Sequence, residues 1–138
     1  MKTSCFAWAA LLLGLIVSAC STPSPAPTSG PAAVVQARYD ALNAGKVDAA
    51  AALFADDAVF VSSPNSLARG ATLKGRGEIR ANMQREADSG ARVEAYNYQV
   101  NGDTVTYWVR AFVGGRMVNN ASLKAVVRDG KIVSQSPL

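Results

Sequence analysis

The chain contains no histidine, and its two cysteines, Cys5 and Cys20, both fall within the first 20 residues. Beyond that point it has neither an imidazole nor a thiol. Without histidine it lacks the commonest general base and the commonest metal ligand. Without thiols it can form neither disulfides nor thiolate metal sites. Ser-His and Cys-His triads, zinc hydrolase centres and haem ligation are thereby excluded, which leaves metal-free or carboxylate-only chemistry. No metal and no cofactor are expected. Clustered charge is missing too. The 14 basic and 10 acidic residues give a net charge of +4, yet no two basic residues are adjacent. Nucleic-acid recognition relies on basic patches, so no nucleic-acid partner is expected.

What is present begins at the N-terminus. Lys2 is followed by an almost wholly apolar run over residues 5–19 (CFAWAALLLGLIVSA) that stops at Cys20. A bilayer span needs about 20 such residues, so this shorter run has the proportions of a secretory signal. Val17-Ser18-Ala19-Cys20 resembles a bacterial lipobox, in which small residues precede a cysteine that is acylated and becomes the mature N-terminus. Residues 21–31 (STPSPAPTSGP) carry four of the six prolines and almost nothing apolar. Such a segment cannot bury enough surface to fold and reads as an extended tether. The expected organisation is a lipoprotein signal peptide over residues 1–19, a lipidated Pro/Ser-rich tether over 20–31 and one domain over 32–138. Ser21 is not the aspartate associated with inner-membrane retention. The expected site is therefore the bacterial envelope, lipid-anchored through Cys20 and, where two membranes exist, on the outer one facing the periplasm.

Within the domain, Val35, Tyr39 and Leu42 recur at helical spacing over residues 31–44, with Ser29 as cap and Gly45 as stop. A short alanine-rich helix is predicted over 47–55, ended by Asp56-Asp57, followed by a strand over 58–62. Residues 63–74 read as a polar loop, and a third helix is expected over 76–88. Alternating strands are then predicted over 92–100, 104–113, 117–127 and 131–135, joined by Asn-Gly-Asp, Gly-Gly and Asp-Gly turns. Helices before an antiparallel meander argue an α+β domain with helices on one face of a curved sheet.

Three segments, ARYDALNAGKVDAAAALFADDAVFV (37–61), LKGRGEIRANM (73–83) and VRDGKI (127–132), resemble the NTF2-like superfamily, in particular its SnoaL-like branch. The resemblance implies a cone: three helices packed on a curved, mostly antiparallel sheet, with a pocket at the open end. In ketosteroid-isomerase-like members a first-helix tyrosine donates to a developing enolate, and Tyr39 holds that position. The family's carboxylate base falls on Ser62, which cannot abstract a carbon-bound proton at neutral pH. The second oxyanion donor falls near Ser122, with Asn120 expected on the same face, and the companion tyrosines fall on Phe54 and Met83. Of the inherited catalytic set only Tyr39 remains.

Arg110 lies within a strand, two residues from both Trp108 and Phe112. Facing the cone it would anchor a carboxylate or phosphate; facing outwards it would be solvated or part of a dimer contact. Tyr107, Val109, Ala111 and Val113 form the more apolar alternate face. The favoured reading is a non-catalytic envelope module whose cone binds a small apolar or amphipathic ligand, lined by Tyr39, Phe60, Ser62, Asn120 and Ser122, with Arg110 as a further candidate. One alternative is a structural module that homodimerises or docks a partner through the sheet. The other is an isomerase, cyclase or dehydratase, for which Tyr39 is the one catalytic candidate.

Overall fold

The computed structural model describes residues 25–138, so the expected signal peptide, Cys20 and the first residues of the expected tether lie outside the described residues. Helix α1 (Gly30–Asn43) is followed by α2 (Val47–Ala52), strands β1 (Phe54–Val61) and β2 (Thr72–Lys74), helix α3 (Gly75–Asp88), and strands β3 (Arg92–Asn101), β4 (Thr104–Val113), β5 (Arg116–Arg128) and β6 (Lys131–Pro137). The six strands form one sheet in the order β2-β1-β6-β5-β4-β3. Only the β1–β6 pair is parallel; the rest are antiparallel. This is the α+β arrangement expected, with helices against one face of a curved sheet.

Ser29 occupies the N-cap of α1 and Pro31 its first turn, but the serine side chain makes no capping hydrogen bond. The helix buries Ala32, Val35, Tyr39 and Leu42 on one stripe, and Arg38 lies within that stripe. At its C-terminal end Asn43 behaves as a strand mimic. Its Nδ2 donates to the Val93 carbonyl at 2.7 Å and its Oδ1 accepts from the Val93 N–H at 2.9 Å. One side-chain amide thus satisfies both backbone groups of a residue on the outermost strand, and fixes α1 across the sheet.

Two boundaries differ from expectation around Asp56-Asp57. α2 stops at Ala52, and the pair lies inside β1 rather than ending a helix. Phe54 pairs with Ile132, and the register slips before Val59 pairs with Ser134. The fully buried Phe54 and Ala58 hold both ends of this irregular stretch to the core, while the two aspartates face solvent. Arg76 secures it from α3, donating through Nε to the Phe54 carbonyl at 3.1 Å and pairing with Asp56 at 2.6 Å. The short β2 was expected as loop; three residues pairing with Val59–Val61 carry little periodic signal. Gly75 turns it into α3 at φ +83°, and a Cβ there would stand 3.4 Å from the Asp56 carbonyl oxygen. Position and conformation both favour glycine.

Candidate functional site

Alternation along β4 divides the sheet into two surfaces. Val105, Tyr107 and Val109 are buried and face the helices, opposite Ala125, Leu123 and Ala121 of β5. Thr106, Trp108 and Arg110 face the other way, opposite Lys124, Ser122 and Asn120.

The inner surface gathers the polar groups. Tyr39 is 3% exposed, and its hydroxyl lies 3.3 Å from that of Tyr107 on β4. That distance is long for an O–H···O bond, so each oxygen retains capacity for another partner. Tyr98 stacks on Tyr107 with ring centroids 5.7 Å apart and donates to Gln36 Oε1 at 2.6 Å. Burial, then the proximity of Tyr39, pushes the Tyr107 phenol well above its ordinary pKa, and burial does the same for Tyr98. Both are neutral donors at physiological pH.

Beside them lies Arg38, 2% exposed and among the largest fully buried side chains. Its guanidinium carbon stands 4.2 Å from the centroid of the Tyr39 ring and 5.6 Å from those of Phe54 and Phe60. Nε and Nη1 have no hydrogen-bond partner. Burial, the largest influence on this group, opposes its charge. Tyr39, Tyr107 and the Glu86 carboxylate together outweigh it and leave the pKa above the ordinary arginine value. The side chain is therefore a permanent cation inside an aromatic box. Among the described residues no carboxylate forms an ion pair with it. Glu86 instead accepts from Asn82 Nδ2 at 2.9 Å.

Two further buried groups adjoin the same wall. Gln135 is the cross-strand neighbour of Phe60, and Ser62 stands two residues beyond Phe60, where β1 gives way to a loop. Both are 2% exposed, and neither Ser62 Oγ nor Gln135 Oε1 has a partner. Arg38 and Gln135 each neighbour Phe60, and Ser62 follows it on the chain, so three buried polar side chains with unmet hydrogen-bonding capacity border one aromatic residue of the core. Among the described residues no group of three or more histidines, cysteines or carboxylates is arranged to hold a metal.

Of the residues singled out from sequence, Tyr39, Phe60 and Ser62 lie together on the inner surface. Asn120, Ser122 and Arg110 do not. Asn120 is opposite Arg110 and Ser122 opposite Trp108, so all belong to the outer surface, where the strand's period of two sends them. There Arg110 lies 4.5 Å from the Tyr96 ring centroid and 3.5 Å from Glu94, and Tyr96 donates to Asn120 Oδ1 at 3.2 Å. A groove of about 340 Å³ opens beside this cluster, lined by residues that include Asn97, Tyr98, Trp108, Ser122 and Leu138.

Sequence reasoning missed Arg38, the Tyr107 hydroxyl and Gln135. Arg38 carried a signal: it stands three residues after Val35 and four before Leu42, squarely on the apolar stripe of α1. The alternation of β4 puts Tyr107 on the inner face, but only as part of an apolar row. It supplies the companion hydroxyl to Tyr39 that Phe54 and Met83 cannot.

Comparison with known proteins agrees with this architecture. The family model for the SnoaL-like domain matches residues 35–135. An NTF2-like protein of unknown function from Cytophaga hutchinsonii superposes with a TM-score of 0.65 at 15% identity, covering 81% of this chain and 91% of that one. A protein from Sinorhizobium meliloti assigned as a polyketide cyclase gives 0.62 at 21% identity, over 76% of this chain and 93% of that one. A computationally designed 17-OHP binder gives 0.67 at 20% identity, over 80% and 92%. At these identities the likeness is one of fold. No curated protein matches in sequence. The family model spans most of the folded domain, and the chain belongs to the SnoaL-like domain family.

Proposed function

We propose that the protein is an envelope-anchored, non-catalytic module that binds a small apolar or amphipathic molecule inside its cone. Cys20 carries the lipid, the Pro/Ser-rich segment spaces the domain from the membrane, and the interior surface holds the ligand. The observation that carries the reading is the inner patch: aromatic walls interrupted by Arg38, Ser62 and Gln135, each buried and each with an unpartnered polar atom. Ligand sites are typically apolar with a few convergent polar groups, and the residue types gathered around Phe60 support that reading. Catalysis is disfavoured because the Tyr39–Tyr107 pair can donate hydrogen bonds to an oxyanion, while the position that the family resemblance assigns to a carboxylate base holds Ser62.

Mass spectrometry of the full chain tests both parts. Under denaturing conditions the N-terminal peptide should begin at Cys20 and carry acyl chains, absent in Cys20→Ala. Under native conditions a co-purifying molecule of a few hundred daltons should remain with the domain. An unmodified N-terminus would overturn the anchor, and a clean apo mass after purification from the native host would overturn the ligand.

The outer surface supports a second reading, a homodimer or partner-docking face. Trp108 is 43% exposed and Met117 57%, and Trp108 lies on the face of the sheet turned away from the helices. Exposed aromatics beside a polar cluster are what interface cores and their rims contain.

A further inference from the structure

We infer that the ligand of the inner patch is an organic anion, a carboxylate on an apolar body, held by Arg38. This rests on the proposed binding of a small molecule in the cone and specifies its charge. Three observations carry it. First, the guanidinium is permanently charged, 2% exposed and unpartnered at Nε and Nη1. Its N–H groups can only donate, so whatever meets them must accept. Second, the protein leaves the charge unneutralised: Glu86 lies near enough to raise the pKa of Arg38, but its carboxylate is committed to Asn82 and forms no ion pair with it. The rings of Tyr39, Phe54 and Phe60 stand 4.2–5.6 Å from the guanidinium carbon, and the hydroxyl of Tyr39, which also favours the cation, is a neutral partner that leaves the charge uncompensated. Third, the remaining groups tolerate an anion. Ser62 Oγ can donate, and the Gln135 amide presents Nε2 when rotated. A cationic ligand would meet Arg38 as a like charge. A neutral ketone or ester would accept a hydrogen bond yet leave the buried charge uncompensated.

Planar guanidinium suits planar carboxylate, and a hydrogen bond between charged partners outweighs one to a neutral acceptor by enough to give roughly 10- to 100-fold in affinity. The aromatic box fixes the rotamer in advance, so little side-chain entropy is lost on binding.

Matched pairs test this on the full chain by isothermal titration: 2-naphthoate against methyl 2-naphthoate, and decanoate against methyl decanoate. Each acid should bind at least tenfold more tightly than its ester. In Arg38→Met the advantage of each acid over its ester should disappear. Esters binding as tightly as acids would overturn the anionic assignment and leave the cone as a neutral-ligand site. Failure of all four compounds to bind would overturn the binding reading itself. The wild-type acid-to-ester ratio needs no variant, so the inference stays open to refutation even where Arg38→Met does not fold.

Discussion

Two arginines in this protein stand over tyrosine rings at nearly the same distance, Arg38 at 4.2 Å from Tyr39 and Arg110 at 4.5 Å from Tyr96. On the outer surface Arg110 is 43% exposed and has Glu94 at 3.5 Å, so water and a carboxylate share its charge. On the inner surface Arg38 has neither. The same local contact is therefore a minor surface interaction in one place and an expensive commitment in the other. Cation–π contacts are worth about 0.5–2 kcal/mol each, whereas burying an unpaired ion costs several kcal/mol even after relaxation. A group whose burial weakens the fold is the better guide to function, because folding alone does not account for it.

Replacing Arg38 by a residue of similar length should break the contrast most strongly. Removing one partner of a buried ion pair usually destabilises, because its mate is left uncompensated. Here Glu86 is half-buried and already bonded to Asn82, so nothing is stranded. Arg38→Met should stabilise the ligand-free protein by about 1–2 kcal/mol, read as a higher urea midpoint at unchanged slope. A loss of more than about 1 kcal/mol would mean that the cation organises the core.

The contrast also explains what could be read from sequence. Strand β4 was legible residue for residue, because β-branched and aromatic residues between two glycine-containing turns leave few alternatives. Helix α1 was legible within one residue from Val35, Tyr39 and Leu42. The inner site was only half legible. Tyr39, Phe60 and Ser62 follow from position along elements that are themselves periodic. Arg38 shares the same helical stripe, but a charged residue there is ordinarily taken to sit at the solvent border. Asn120 and Ser122 point inwards only if a family position is carried across β5 without its register, which sets them opposite Arg110 and Trp108. The bulge between Ala111 and Phe112 is not visible in the residue pattern, although the alternation of Ala121, Leu123 and Ala125 was.

Alkaline titration sharpens the comparison at the tyrosines. Tyr107 is raised by burial and by Tyr39, and Tyr98 by burial, while Tyr96 lies on the outer surface. A phenol whose folded pKa exceeds its unfolded value of about 10 contributes stability that is intact below pH 10. That contribution is lost as pH rises towards the folded pKa, because only the unfolded chain releases the proton. Each such group adds at most about 1.4 kcal/mol per pH unit to the slope. The wild type should therefore lose stability above pH 10 more steeply than Tyr107→Phe, with parallel curves below pH 9. Equal slopes throughout would show that the inner hydroxyls reach solvent.

The outer surface should give the smallest response. Trp108 keeps 43% of its surface exposed, and the Glu94–Arg110 pair is half in water. Exposed pairs contribute about 0–1 kcal/mol, and surface substitutions away from special features about 0.5 kcal/mol or less. In an isolated domain Trp108→Ala and Arg110→Ala should therefore shift the urea midpoint by no more than this, independently of protein concentration. If a second copy covers the face, apolar burial at Trp108 joins the folding equilibrium, and the wild-type midpoint rises with concentration. Trp108→Ala would then cost well over 1 kcal/mol and abolish that dependence, and sedimentation would show a halved mass. Measuring both substitutions at two concentrations decides whether the outer surface is solvent-facing or is the protein's second functional face.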